Sequence, residues 1–395
     1  MRRRSASTRW AALVGVALAV VSCLCGAARS EAAQTTALAV QVGAPARAVH
    51  GSDGREHVDY DLVISNAFTV PARLDSLRVF GDGRPVLTLK GRRLADQTLT
   101  LADAPSKGTV PVSSTVKTLV DVALPRSFGR RAPRRLTERL RYAVAPDAPG
   151  RTIIASTVVR GPTVRVDRRP PVRIASPLYG PGWLDSSGCC DDPTSEHRTL
   201  LLPADGSFRT AEMFAIDWIR ETRGSFYTGD GSKVTDWPGF GAPIHAVAPG
   251  IVVRAINDRP EVPPFTSTAD NPTLHGPGDY GGNGVVERIA PGRYAVYLHL
   301  QTGSVDVKVG QRIRTGRVLG LLGNTGNTTG PHLHFGIQNG PNILTSDSVP
   351  FEIGSFTIQG KGELGEKAGT IRVVGPPRRA TLSEPLIRSV YTFSP

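Results

Sequence analysis

The chain has 395 residues, enough for two domains of ordinary size, and its hydrophobic fraction of 39% is sufficient for buried cores. These values exclude a disordered chain. The formal net charge of +13 is concentrated towards the N-terminal half, where residues 35–172 hold 22 Lys and Arg against 12 Asp and Glu. A basic surface of this kind suits anionic wall polymers or lipid head groups. No segment resembles a nucleic-acid-binding module, so we predict no nucleic-acid partner.

Residues 1–34 have the pattern of an export signal. A basic start is followed by the apolar run Trp10–Cys25, which is too short to span a membrane comfortably as a permanent helix. Val20–Cys23 resembles a bacterial lipobox, whose cysteine takes a lipid, whereas the small residues of Gly26–Ala33 suit ordinary signal cleavage. We therefore expect an extracytoplasmic protein, either secreted or attached to the membrane as a lipoprotein through Cys23.

Residues 35–166 have strand-like patterns, and 43 Gly and 32 Pro in the whole chain favour a mainly β protein with few helices. Val58, Tyr60, Leu62 and Ile64 alternate with mostly polar neighbours, as in a half-buried strand. Residues 77–89 have the pattern of a hairpin around a glycine-containing turn. Several such strands over this length predict an immunoglobulin-like β-sandwich, which we interpret as a structural or binding module.

The charged, proline-bearing stretch 167–176 predicts a linker. We expect a second domain over residues 177–354 and a C-terminal extension over 355–395, to which the pattern assigns no role. Cys189 and Cys190 are the only cysteines in the predicted globular part. Because adjacent cysteines bridge only through a strained ring, we predict no disulfide scaffold.

The second domain combines a carboxylate with several histidines in strand-like blocks. Phe214–Trp218 places Asp217 in an apolar run, Tyr294–Leu300 contains His299, and a long glycine-spaced run ends in Gly-Pro-His-Leu-His-Phe with His332 and His334. Side chains two residues apart on a strand leave the same face, so His332 and His334 are expected to point at one spot. Imidazole and carboxylate groups suit zinc, and further histidines can act as general base or stabilise an oxyanion.

These blocks resemble the LytM-type zinc metallopeptidases of the lysostaphin/M23 group, whose distinctive signature is the glycine-spaced run ending in a Gly-Pro-His-Leu-His-Phe type motif. The resemblance covers about residues 173–350. It implies an antiparallel β-sheet that forms a groove, Zn²⁺ as cofactor, and the cross-linking peptide of bacterial peptidoglycan as substrate. It also implies that Asp217 and His334 are zinc ligands, and that His299 and His332 are the catalytic pair that activates water and polarises the scissile carbonyl.

The chain departs from the family pattern at one ligand. The family has a histidine four residues before the aspartate, and this chain has Met213 at that position. A thioether is a soft, neutral ligand and a poor replacement for imidazole on zinc.

Three explanations compete for this departure. The first is recruitment of another ligand, with His197 as the leading candidate; Glu212 is next to the vacant position but is expected on the opposite strand face. The second is a thiolate from Cys189 or Cys190. The third is loss of the metal, which leaves a degenerate LytM domain that binds wall material or regulates another wall hydrolase. We predict a zinc metalloendopeptidase with His197 as the third ligand, and the degenerate domain is the alternative.

Overall fold

The computed structural model describes residues 34–125, 128 and 131–395, which form a mainly β protein, as predicted. The only α-helices in this described part are short: α1 (Gly91–Asp96) and α2 (Glu196–Thr199). None of the described helices is long and apolar enough to cross a membrane. The predicted export signal and Cys23 lie outside the described residues. Residues Thr35–Pro395 form one compact unit.

Two antiparallel sheets share one hydrophobic core in the N-terminal region. The first sheet contains β1 (Leu38–Val42), β2 (Arg47–His50), β3 (Glu56–Asn66), β6 (Thr98–Thr100) and β8 (Thr115–Ala123). The second contains β4 (Ala72–Gly81), β5 (Arg84–Lys90), β7 (Thr109–Val110), β9 (Arg135–Ala143), β10 (Val158–Arg160) and β11 (Val164–Arg165). Strands β4 and β5 form the predicted hairpin. Side chains from both sheets pack together between them, while the immunoglobulin type of this region stays a prediction.

The prediction of a half-buried strand at residues 57–65 is wrong. Strand β3 buries its apolar face, including Tyr60, but its polar face is buried too, with Asp59 and Asp61 only 0% and 1% exposed. The cause is Arg198, whose guanidinium lies against both carboxylates at 2.6 Å. The alternating pattern shows which residues of the strand are polar, but it does not show whether they are exposed. Here the polar face is buried by Arg198, which is distant in sequence.

His57, also on β3, provides a pH-dependent contribution to stability. Its Nδ1 lies 2.9 Å from Asp121 and its Nε2 3.3 Å from Asp53. Burial by itself lowers the pKa of His57, but Asp121 and then Asp53 outweigh burial and raise it to about 11. Since the unfolded pKa is near 6.5, this stabilisation is fully present below about pH 6.5 and is lost as pH rises towards 11.

We expect thermal unfolding to report this loss. Below pH 6.5 the wild type should exceed His57→Gln in stability by on the order of 2 kcal/mol, the typical strength of a charge-assisted hydrogen bond. Between pH 7 and pH 10 the gap should narrow, because only the wild type carries the titrating ring. A gap that is independent of pH would contradict the assignment of His57 as a buried cation.

One large sheet dominates the remainder of the chain. Its strands run in the order β12-β24-β27-β13-β16-β23-β20-β19-β18-β21, with β25 and β26 also paired to β24. Their bounds are β12 (Val172–Ile174), β13 (Gly180–Asp185), β16 (Ile216–Arg220), β18 (Gly250–Ile256), β19 (Asn283–Ala290), β20 (Arg293–Leu300), β21 (Arg312–Ile313), β23 (Leu333–Gln338), β24 (Phe351–Leu364), β25 (Ile371–Val374), β26 (Arg378–Ser383) and β27 (Ser389–Phe393). Every pairing is antiparallel except that of β12 with β24.

Smaller elements complete the second region. Two ribbons pair β14 (Leu202–Ala204) with β15 (Ser207–Arg209), and β17 (Pro243–His245) with β22 (Val318–Leu321). Short 3₁₀ helices occur at Arg151–Ile153, Val234–Asp236 and Pro277–Asp279.

The C-terminal strands belong to the large sheet. Residue 354, where the sequence predicts the end of the second domain, lies inside β24, which continues to Leu364. Strand β27 pairs with β24 on one side and with β13 on the other. The extension therefore continues the sheet that carries Asp217, although the domain division itself stays a prediction.

The two adjacent cysteines form a local bridge rather than a scaffold. Cys189 and Cys190 are disulfide-bonded, and a cis peptide bond between them brings their Cα atoms to 3.0 Å. Both are buried in a cluster that contains Ala44, Val49 and Met213. A bridge between neighbours closes no long loop, so it links no two elements of the fold.

Candidate active site

The register of two neighbouring strands brings Asp217 and His334 together. Asp217 on β16 is the direct partner of His334 on β23, so both side chains leave the same face of the sheet. His334 Nδ1 lies 3.1 Å from Asp217 Oδ1. The flanking residues, including Trp218 and Phe335, point into the apolar core on the other face and fix this register.

A β-bulge brings His299 to the same face. In β20, Leu298 pairs with Gly284 and Leu300 with Asn283, which leaves His299 as the extra residue. His299 has φ +64°, in the left-handed region that is uncommon for residues other than glycine. With regular alternation it would point away from Leu298; the bulge re-aims it, and both residues line the cavity described below.

Two glycine-bearing loops hold the acceptor for the His299 ring. His299 Nδ1 donates to the carbonyl of Thr325 at 2.7 Å. Gly282 and Gly326 have φ +58° and +81°, and their backbones cross in contact: a Cβ on Gly326 would lie 2.3 Å from Gly282 N, and a Cβ on Gly282 would lie 2.3 Å from the Thr325 carbonyl oxygen. Side chains at either position would force the loops apart.

His332 is oriented by its own turn, just before β23. Its Nδ1 donates to the Gly330 carbonyl at 2.8 Å, and its Nε2 lies 3.3 Å from Asp217 Oδ1. The centroid of the ring is 4.6 Å from that of His299. Since Nδ1–H is engaged in both rings, the neutral forms of His299 and His332 carry their lone pair on Nε2.

The structure brings His197 to the other side of Asp217. Helix α2 places its Nε2 3.1 Å from Asp217 Oδ2, while its Nδ1 donates to the Ala215 carbonyl at 3.0 Å. One donor atom each from His197, Asp217 and His334 lie within 4.8 Å of one another. All five residues singled out in the sequence thus meet in one place.

Met213 and Glu212 lie in a turn, and not on the strand that the sequence pattern predicts for them. Residues 211–214 form a turn before β16 rather than part of that strand, so alternation does not apply to them. Met213 is 1% exposed and packs in the cluster with Cys189 and Cys190. The expectation that Glu212 faces away is wrong, because its Oε2 lies 3.9 Å from His197 Nε2. The cysteines are consumed by their disulfide and are not part of the group around Asp217.

The charges in the site are strongly coupled. Burial alone would raise the pKa of Asp217, but His197 and His332 outweigh it and hold that pKa well below its ordinary value. Asp217 in turn overcomes burial to raise the pKa of His332, and that of His197 to about 10. Burial, followed by His332 and His334, lowers the pKa of His299. At neutral pH the site therefore contains a carboxylate and a neutral His299.

The site opens into a cavity of about 190 Å³. Besides the five predicted residues, acidic, polar and apolar side chains line it: Glu196, Glu212, Thr268, Tyr280, Leu298, Asn327, Thr328, Thr329, Ile343 and Leu344. Sequence reasoning missed most of these. The loop that contains Tyr280 gave a partial signal, because a Gly- and Pro-rich loop between two site strands is a frequent place for ligand contacts.

The donor set fits a zinc ion. Two imidazole nitrogens and a carboxylate oxygen are ligands that zinc prefers, and three protein ligands are the usual number in a catalytic zinc site. The ring nitrogen of His197 that faces away from the group is bonded to a backbone carbonyl, which is the usual outer-shell arrangement of metal-binding histidines.

Residues 232–345 match peptidase family M23. The chain therefore carries an M23 peptidase domain, as the sequence motif predicts. The matched range contains His299, His332 and His334 but begins after Asp217 and His197.

Curated relatives share only part of their length with this chain. Peptidoglycan DD-endopeptidase ShyC of Vibrio cholerae is 42% identical over 70 residues, which are 16% of this chain and 16% of that protein. Glycyl-glycine endopeptidase ALE-1 of Staphylococcus capitis is 32% identical over 116 residues, 28% of this chain and 26% of that protein. Among solved structures, a catalytic-domain mutant of the prophage-encoded M23 protein EnpA from Enterococcus faecalis aligns with 45% of this chain and 93% of that chain, at 18% identity and a TM-score of 0.26.

Proposed function

We propose that this chain is a zinc-dependent endopeptidase that hydrolyses peptide bonds of bacterial cell-wall peptidoglycan outside the cytoplasm. One observation carries the proposal: His197, Asp217 and His334 converge beside a second pair of histidines in one cavity. The M23 domain and the names of its relatives, a peptidoglycan endopeptidase and a glycyl-glycine endopeptidase, support this substrate class.

The three converging residues would hold the zinc ion, with His197 in place of the histidine that the family has at the position of Met213. Zinc bound there supplies Lewis-acid chemistry, which lowers the pKa of a water molecule and polarises a carbonyl. Asp217 is already ionised before zinc binds, because His197 and His332 outweigh burial and hold its pKa well below the ordinary value.

His299 and His332 would act as the general base and the hydrogen-bond donor of the reaction. One ring accepts the proton of the attacking water at Nε2, and the other donates a hydrogen bond to the oxygen of the scissile carbonyl. The lowered pKa of His299 keeps its ring neutral at physiological pH, so the lone pair on its Nε2 is available to accept a proton. Both rings are fixed by carbonyls at Nδ1 and need no reorientation during the reaction.

The regions outside the site have proposed boundaries and roles as well. We propose a β-sandwich at residues 35–166, a linker at 167–176 and the peptidase region from 177, after a signal that either is cleaved or leaves a lipid on Cys23. The basic charge of the N-terminal region supports contact with anionic wall polymer.

Peptidoglycan digestion by the purified chain tests this function. We expect zinc-dependent release of new amino groups without new reducing sugars, because a peptide bond and not a glycosidic bond is cut. Chelation should stop the release and added zinc should restore it. If the protein releases no amines with or without added zinc, the enzyme is excluded and the alternative, a degenerate domain that binds the wall or regulates another hydrolase, takes its place. If the protein holds less than half an equivalent of zinc after chelation and zinc addition, the proposal that these residues bind zinc is contradicted.

A further inference from the structure

The candidate ligand His197 is supported differently from the other two. Asp217 and His334 lie on paired strands of the large sheet, whereas His197 lies on α2, a helix of 4 residues. A helix this short does not form by itself in water. The position of the His197 ring therefore depends on its own bond to the Ala215 carbonyl and on what α2 contacts.

Local contacts account for part of that support. Ser195 caps α2, because its Oγ accepts from Arg198 N at 3.2 Å and donates to the Gly188 carbonyl at 2.9 Å. Ser187 Oγ accepts from His197 N at 3.2 Å. These bonds shape the first turn, but all of them come from the loop that leads into α2.

The N-terminal region supplies the remaining support for α2 through Arg198, the residue directly after His197. The guanidinium of Arg198 is buried against β3: Nη1 donates to Asp61 Oδ1 at 2.6 Å, and Nη2 lies 2.6 Å from Asp59 Oδ1 and donates to the Tyr60 carbonyl at 3.0 Å. Nε donates to the Cys190 carbonyl at 3.0 Å. A planar guanidinium with every nitrogen engaged has one orientation, so β3 fixes the orientation of α2.

Two more side chains of the N-terminal region hold the ends of the same segment. Gln97 donates from Nε2 to the Asp191 carbonyl at 2.6 Å, and Lys117 on β8 donates from Nζ to the Thr199 carbonyl. The segment 190–199 is thus bound near its start by Gln97, which directly precedes β6, and at its end by strands β3 and β8.

We propose that the N-terminal sandwich is a structural part of the metal site, and that Arg198, clamped by Asp59 and Asp61, is the positioning residue that keeps His197 against Asp217. This inference rests on the proposed function, because it takes His197 as a ligand. It gives the N-terminal region a role in metal affinity that is separate from any contact with the wall.

The test compares two buried arginines in the full-length protein. Arg198→Met removes the clamp. Arg47→Met is the matched control, because Arg47 is also buried, at 8% exposed, and pairs with Asp167 instead of contacting α2. Zinc affinity is measured by competition with a chromophoric chelator, after circular dichroism has verified the fold of each variant.

We expect Arg198→Met to weaken zinc binding by about 10- to 100-fold, as loss of an outer-shell partner does, and Arg47→Met to leave it unchanged. The visible spectrum of the cobalt-substituted protein should shift in Arg198→Met towards that of His197→Ala, and should keep the wild-type form in Arg47→Met. A change in stability alone does not alter the ligand set that this spectrum reports.

Asp61→Asn is a milder change that keeps the shape of the side chain and one accepting oxygen, and it serves as the test if Arg198→Met does not fold. It should also weaken zinc binding. Wild-type affinity and spectrum in Arg198→Met, or in Asp61→Asn when only that variant folds, would overturn the inference and leave the proposed function intact. Absence of zinc from the wild type itself would instead overturn the proposed function.

Discussion

Alanine in place of His334 should remove zinc from the protein and abolish hydrolysis. The variant leaves His197 and Asp217, and two protein ligands make a weak site. The loss of affinity should exceed the about 10- to 100-fold effect of losing an outer-shell partner. Metal content, measured after chelation and zinc addition, should fall from about one equivalent in the wild type, as expected for a single catalytic site.

His197→Ala should have the same effect as His334→Ala, and this comparison tests the ligand that replaces the family histidine. His245→Ala is a matched control, because His245 is half-buried, donates from Nδ1 to the Gly316 carbonyl, packs against Tyr179 and does not line the cavity. Unchanged zinc content in His197→Ala would exclude His197 as a ligand, even if His334→Ala had lost the metal.

Alanine in place of His332 should separate catalysis from metal binding. His332 is not one of the three residues whose donor atoms lie within 4.8 Å of one another, although its Nε2 lies 3.3 Å from Asp217 Oδ1, and it lines the cavity. We expect zinc to be retained and turnover to fall by about 10²- to 10⁴-fold, which is the usual contribution of a positioned acid or base. The fall should appear in kcat, because the ring acts on the reacting atoms and not on remote parts of the substrate.

The same measurements on His299→Ala complete this test, since the two rings are proposed to act as a pair. Loss of zinc in His332→Ala comparable to that in His334→Ala would assign His332 to the metal instead. Wild-type kcat in both His332→Ala and His299→Ala would rule out the pair as the proton-transferring groups.

Local sequence patterns predict the features of this site that depend on strand geometry. Period-2 alternation explains why His332 and His334 approach the same carboxylate, since side chains two residues apart leave one face of a strand. The apolar residues around Asp217 likewise identify strand β16, and the glycine-spaced run identifies strands and loops within residues 232–345.

Other features depend on contacts between distant residues, which local patterns do not report. The bulge that re-aims His299 arises from its pairing with β19. The polar face of β3 is buried by Arg198, which is 137 residues away from its partner Asp61 in sequence. The pattern around Met213 predicts a strand where the structure has a turn, because a short apolar run fits either structure.

The pairing of Asp217 with His334 has a further consequence for assembly of the sheet. A slip of one residue between β16 and β23 would send one side chain of the pair to the opposite face and bury it among apolar groups. A metal ion that needs both donors would therefore favour the native alignment of the two strands over a slip of one residue. By mass action, zinc would stabilise the native alignment and so disfavour the one-residue slip during assembly of the sheet.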